Sequence, residues 1–304
     1  MSSLPLNAVA ASAPWRIFMR EFFASKLAAA GAALLLLMVL AALLAPWLAP
    51  QNPYDLAQLD VLDSRLPPGS VSGDGHIHYL LGTDEQGRDL YSAILYGLRI
   101  SIWVGVASTA IALAIGLLLG LLAGYAGGRT DALIMRLADI QLSFPAILVA
   151  LVLLVLLGPG ISKIIIALVT VQWATYARTA RGAALVERNR EYMEAAVMLG
   201  LSPARIVLRH LLPNCLSPLV VVAALQVGSA ISLEATLSFL GLGLPVTEPS
   251  LGLLIANGFQ YLMSGKLWIS LFPGLTLMLL VVAINLVADR LRDVLNPRLS
   301  GVLA

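Results

Sequence analysis

The chain has 304 residues, 59% of them hydrophobic and 12% charged, with a mean hydropathy of +0.90. Soluble globular domains carry about 25% charged residues, so this deficit excludes an ordinary soluble domain and places much of the surface against lipid. The net charge of +2 gives no reason to expect a nucleic-acid partner, and the single Cys215 excludes an intrachain disulfide framework and any cysteine-based metal site.

A bilayer core requires roughly 20 apolar residues per helix. Residues 1–26 read as a cytoplasmic N-terminal segment, and the first span runs over 27–48. It is too long for a signal h-region, and Pro46, Trp47 and Pro50 end it without a small-residue cleavage site. Residues 49–99, with Pro53, Pro67, Pro68 and several glycines, read as an extramembrane loop on the outer face. A five-span core over 100–291 follows, with spans predicted at Ile100–Gly124, Leu133–Leu157, Ile161–Ala177, Leu216–Leu240 and Trp268–Ala288. Residues 178–214 form a charged helical interruption of that core, and 292–304 form a cytoplasmic tail. The predicted fold is an all-α integral membrane protein with six transmembrane helices.

With the N-terminus inside, the inner segments hold 14 Lys and Arg and the outer segments hold only Arg65, Arg88, Arg99, Lys163 and Lys266. The positive-inside rule therefore puts both termini in the cytoplasm. Span 2 carries Ser108, Ala112, Gly116, Gly120 and Gly124 at four-residue spacing, a stripe that predicts close packing against another span without saying which.

The segment from Glu191 to Asn214 holds the most specific pattern. Glu191 through Leu199 suits a short helix, and Gly200 stands where a positive-φ residue ends one. Ser202 and Pro203 restart a second helix as N-cap and first helical residue. Pro213 and Pro218 are expected to bend its entry into span 5. On physics alone this element is either a docking element or an amphipathic connector lying on the membrane.

Glu194-Ala195-Ala196, then Gly200, then Pro213 resembles the "EAA" loop of ABC importer permeases, although His210 stands where that pattern has an aliphatic residue. The runs Leu81 to Asp89, Ser238 to Gly243, Asp289 to Asp293 and Asn296-Pro297 are similar to the dipeptide/oligopeptide/nickel branch of that family. One departure is Leu251-Gly252, where the branch often has Trp-Gly. The resemblance implies that Glu191, Glu194, Ala195, Ala196, Gly200, Pro203 and Pro213 belong to a cytoplasmic coupling helix seated on an ATPase. It also implies a homologous second permease, two ATP-binding subunits that carry ATP and magnesium, an extracytoplasmic substrate-binding protein, and residence in a bacterial inner membrane. The chain has no Gly-x-x-x-x-Gly-Lys-[Ser/Thr] loop and no evident internal repeat, so it reads as a non-catalytic half-pore without its own motor or cofactor.

Polar residues within spans are candidate pathway residues. Gln226, Ser229, Ser232 and Thr236 fall within about a third of the circumference of span 5, while Glu234 points elsewhere and could meet a substrate amino group, a partner subunit or the interface. Asp139 is expected to pair with a nearby arginine rather than with cargo. His76 and His78 lack a third nearby ligand and read as solvated loop residues, with no metal site. The expected cargo is di- or oligopeptides, with nickel, a metal chelate or an opine-like solute as the alternative. From a different class, an ion-coupled secondary transporter would require buried ionisable residues midway through the spans.

Overall fold

The computed structural model describes residues 14–55, 59–245 and 247–295. The expectations placed on residues 1–13 and on Asn296, Pro297, Arg298 and the rest of the tail lie outside the described residues. Helix α1 covers Pro14–Phe23, α2 Lys26–Leu43 and the single turn α3 Ala45–Leu48. After a small folded cap, α4 runs over Leu90–Ala126, α5 over Gly128–Ser143, α6 over Ala146–Leu157 and α7 over Ile161–Arg188. Then come α8 (Glu191–Met198), α9 (Pro203–Ile206), α10 (Leu212–Phe239), α11 (Leu251–Phe259) and α12 (Trp268–Leu295).

Four helical stretches among the described residues are long and apolar enough to cross a membrane: 26–43, 90–126, 203–239 and 268–295. A fifth is reached if α5 and α6 count as one broken span. The predicted third span, Leu133–Leu157, is therefore corrected. α5 and α6 meet at 91°, because Pro145 forces Phe144 out of the helical region (φ −96°, ψ 142°). The predicted fourth span lies in α7, which is less apolar than the others. Ala167, Gln172, Ala174, Tyr176, Ala177, Ala180 and Ala184 of α7 are buried within the chain, so neighbouring helices rather than lipid cover that face.

The second span also begins earlier than predicted. Asp89 caps α4, its Oδ2 accepting from the Ser92 amide at 2.8 Å, so the helix starts ten residues ahead of Ile100. At about 1.5 Å per residue, 37 residues span about 55 Å, more than the hydrocarbon core, and the first turns of α4 lie within the cap.

The small-residue stripe of α4 meets α7. A Cβ on Gly116 would lie 2.4 Å from Tyr176 Cβ, and one on Gly120 would lie 2.4 Å from the Ala177 carbonyl oxygen. One on Gly124 would lie 2.6 Å from Ala184 Cβ. Opposite the stripe α7 presents Ala177, Ala180 and Ala184, all buried, so two small faces allow the backbones to touch. Across the same pair Thr109 donates to Gln172 Oε1 (3.4 Å).

Residues 51–55 and 59–89 are more ordered than a loop. Strands β1 (Ser70–Val71) and β2 (His78–Tyr79) pair antiparallel. Buried Asp63 accepts from the Tyr79 hydroxyl (2.9 Å) and the Gly73 amide (3.0 Å), and Thr83 donates to the Asp63 carbonyl (2.6 Å). Asp84 and Arg88 form a fully buried ion pair at 2.6 Å, and Gln51 accepts from the Asp89 amide at 2.6 Å. The cap marks one end of the bundle. At the other end, Arg290 of α12 donates to the backbone carbonyls of Glu21 and Phe22, which brings α1 and the end of α12 together.

Candidate functional site

At the end of the bundle away from the cap, α8 sits between α7 and α10. Met193 and Ala196 face inward and join a buried cluster with Leu121 of α4, Ala184 of α7, Ile206 of α9 and Leu211 and Cys215 beside them. Glu191, Glu194, Ala195 and Val197 through Gly200 face outward. The helix thus has one seated face and one free face, and the free face ends in Met198 at 87% exposure and Leu199 at 78%. Glu194 lines a groove of about 670 Å³ together with Tyr125, Arg188, Met193 and Met198.

Gly200 has φ +69°, the left-handed conformation expected after the helix, and open space lies where its Cβ would stand. Its requirement for glycine is therefore conformational rather than steric. Pro203 occupies the first turn of α9, but Ser202 makes no side-chain capping bond, so its predicted role narrows to an extended N-cap backbone (ψ 145°). The chain then passes through one π turn, Val207–Leu211, directly into α10. Pro213 has no N–H and crowds the carbonyl four residues earlier. The wider turn relieves this, and the Leu212 amide reaches back to Val207 O. The predicted second helix thus runs on into span 5 as one continuous stretch over 203–239, with the π turn just ahead of Pro213.

Three residues tie this end together. Tyr192 donates to Glu187 Oε2 of α7 (2.7 Å), and Asn214 of α10 donates from Nδ2 to Tyr192 Oη (3.1 Å) and to the His210 carbonyl (2.7 Å). Burial, and next the hydrogen bond to Glu187, push the Tyr192 phenol up to about 12. Sequence reasoning did not single out Tyr192, Asn214 or Glu187. The available signal was a polar aromatic on the helix turn that also carries Glu194. Two further ties hold α5 to α7: Asp139 pairs with Arg178 at 2.6 Å, as expected, and Asp131 pairs with both Nε and Nη2 of Arg181.

The pathway candidates divide. Ser229, Ser232 and Thr236 are exposed along one face of α10 and donate to carbonyls four residues back, at 3.3, 2.9 and 2.8 Å. Gln226 is half-buried on the same stretch. Ser232 and Thr236 edge a groove of about 400 Å³ completed by Ile255 of α11 and Met278 and Val281 of α12. Glu234 is fully buried and separate from them. It accepts from Ser101 of α4 (2.9 Å) and Ser238 (2.8 Å), with Ser250 as a further polar neighbour. In this conformation its carboxyl faces serines rather than an open pathway or an interface. His78 lies on β2, and the His76 amide donates to Asp74 Oδ1 (3.0 Å).

The family model "Binding-protein-dependent transport system inner membrane component" matches residues 116–301, and "N-terminal TM domain of oligopeptide transport permease C" matches residues 13–68. The di/tripeptide transport system permease protein DppC of Pseudomonas aeruginosa is 42% identical over 95% of this chain and 93% of its own length. The dipeptide transport system permease protein DppC of Haemophilus influenzae is 37% identical over 99% of this chain and all of its own. The probable D,D-dipeptide transport system permease protein DdpC of Escherichia coli is 40% identical over 91% and 89%. Among solved structures, an inward-facing MetNI methionine ABC transporter shares the fold, with a TM-score of 0.54 and 24% identity over 66% of this chain and 96% of that one. The chain is a multi-pass membrane transport permease and belongs to the family of binding-protein-dependent transport system inner membrane components.

Proposed function

We propose that this chain forms one half of the pore of an ATP-driven importer of di- and tripeptides in a bacterial inner membrane, with both termini in the cytoplasm. A homologous permease supplies the other half, two ATP-binding subunits bind ATP and magnesium, and an extracytoplasmic binding protein delivers cargo to the cap end. The chain itself is non-catalytic. The observation that carries this reading is α8, seated by Met193 and Ala196 yet free along Glu191, Glu194, Ala195 and its apolar tip. A nucleotide-driven push on that free face passes into α7 and α10 through Glu187, Tyr192 and Asn214. Gly200 and Pro203 set the angle at which α10 departs, and Pro213 lies in its first turn. Both helices then turn as near-rigid bodies. Ser229, Ser232, Thr236 and Gln226 present a polar face on α10 suited to a hydrated pathway shared with the partner. The peptide transport names of the relatives favour peptides over nickel or a chelate as cargo.

Affinity purification of the chain from its own membranes tests the assembly. A second permease and ATPase subunits are expected to accompany it. After reconstitution, dipeptides presented with the binding protein are expected to raise ATP hydrolysis where nickel does not. Uptake by the purified lone chain along a proton or sodium gradient, with no ATPase recovered, would overturn the reading.

A further inference from the structure

Helix α11 has nine residues, too few to cross a bilayer, so its position depends on what holds its ends. Its first turn is pressed against two long helices at once. A Cβ on Gly252 would lie 2.2 Å from the Ala235 carbonyl oxygen of α10, and one on Gly97 of α4 would lie 3.2 Å from the Leu251 amide nitrogen. Glu234 sits at this three-way junction. Its carboxyl accepts from Ser101 on α4 and from Ser238 on its own helix, with Ser250, the residue that caps α11, as a third polar neighbour. Ser250 Oγ accepts from the Leu253 amide (3.2 Å), so the group that neighbours Glu234 also fixes the start of α11.

A fully buried carboxyl inside a membrane bundle is costly, and an apolar side chain of similar volume would pack there without that cost. The junction also stands opposite the coupling end along a single helix. Asn214, tied to α8 through Tyr192, and Glu234 are separated by 20 residues of α10, about 30 Å.

We propose that Glu234 is a positioning residue that makes α11 and the cap end of α4 follow α10, so that a push on α8 is felt where cargo enters. This rests on the importer reading of α8 given above. A hydroxyl–carboxyl tie suits the task, since it holds direction yet can break and re-form as helices slide, which interdigitated apolar packing does less readily.

The test uses the whole reconstituted importer, with both permeases, the ATPase subunits and the binding protein. Glu234→Leu removes the acceptor at similar volume. It is expected to leave assembly and unstimulated ATP hydrolysis unchanged while peptide uptake falls by about tenfold or more, the scale of one or two lost buried hydrogen bonds. Glu234→Gln retains an acceptor oxygen and supplies a donor to the serine oxygens, and is expected to keep uptake within about threefold of the parent. Spin labels at the exposed positions Leu37, on α2, and Met263, just beyond α11, report whether α11 moves with α10, with Cys215 buried. The nucleotide-dependent distance change between them is expected to persist in Glu234→Gln and to vanish in Glu234→Leu. Normal uptake with an unchanged distance response in Glu234→Leu would overturn the proposal, as would Glu234→Gln failing like Glu234→Leu. Should Glu234→Leu not assemble, Ser101→Ala cuts the α4 arm without touching the cap of α11, and unchanged uptake there would equally overturn the proposal. If the parent complex itself shows no binding-protein-stimulated hydrolysis, the importer reading fails instead, an outcome the parent control separates.

Discussion

The Tyr192 hydroxyl stands between Glu187 and Asn214, donating to the first at 2.7 Å and accepting from the second at 3.1 Å, so that one short helix is joined to two long ones. Because α8 has only eight residues and exposes six of them, its seating rests on Met193, Ala196 and this hydroxyl bridge. Tyr192→Phe retains the ring and deletes both bonds, each worth about 1 kcal/mol. The permease is expected to assemble normally while binding-protein-stimulated ATP hydrolysis falls by about three- to tenfold. Asn214→Ala, which cuts one arm of the bridge, is expected to give a smaller loss in the same assay.

Gly200 supplies a prediction with a graded outcome. Its φ is +69° and nothing lies within 4 Å of a Cβ placed there, so every substitution acts through the backbone alone. Valine is expected to cost about 1–2 kcal/mol in that conformation, and asparagine, which tolerates the left-handed region, less. Uptake by reconstituted complex should therefore rank glycine above asparagine above valine, with similar amounts of permease in the membrane. Equal uptake by all three would mean that the bend after α8 carries no force.

Much of this was legible because the causes are local. Apolar runs mark α2, α4, α10 and α12, and Gly200 and Pro203 announce a stop and a restart within three residues. The break in the third span was also legible: Pro145 forbids a helical Phe144, yet the apolar run on either side outweighed that signal. The cap was not, because its order comes from pairs such as Leu66 with Thr83 and Tyr79 with Asp63, 17 and 16 residues apart, whose polarity alone reads as loop. Glu234 shows the limit most sharply. Its periodicity excluded it from the α10 stripe, but nothing in sequence indicates Ser101, 133 residues away. The role of the small-residue stripe was visible, while its partner α7 was not, since small faces carry no address.

That stripe yields a paired stability prediction. Gly120→Ala would put a methyl 2.4 Å from the Ala177 carbonyl oxygen and 2.6 Å from Ala180 Cβ, with backbone rather than a flexible side chain in the way. Overpacking of this kind costs about 1–3 kcal/mol, and the midpoint of thermal unfolding in detergent is expected to fall by several degrees. Gly182→Ala, also within a helix of that pair, meets nothing within 4 Å. It should stabilise by about 0.5–1 kcal/mol, since alanine loses less backbone entropy in a helix. If the two changes shift the midpoint in the same direction, contact between α4 and α7 is not what the stripe provides.

The cap supplies a dependence on pH. Burial first, and then the neighbouring charge of Asp84, raise the Glu85 carboxyl above its ordinary range, although the Tyr261 hydroxyl reaches it at 3.4 Å. A carboxyl whose folded pKa is raised binds its proton more tightly in the folded state. Its contribution to stability is therefore fully present below the ordinary carboxylate pKa, about 4.3, and is lost as pH rises through the raised value. Tyr261 lies just beyond α11 and its ring carries the Arg65 guanidinium at 5.3 Å, so the contact joins the cap to the helical bundle. Hydrogen exchange of cap amides in the assembled complex is expected to slow as pH is lowered through this window, after correction for the intrinsic exchange rate. Glu85→Gln, which cannot ionise, should flatten that dependence and protect the cap at neutral pH. Unchanged pH dependence in Glu85→Gln would assign it to another cap carboxylate, with Asp89, raised chiefly by burial, as the next group to replace.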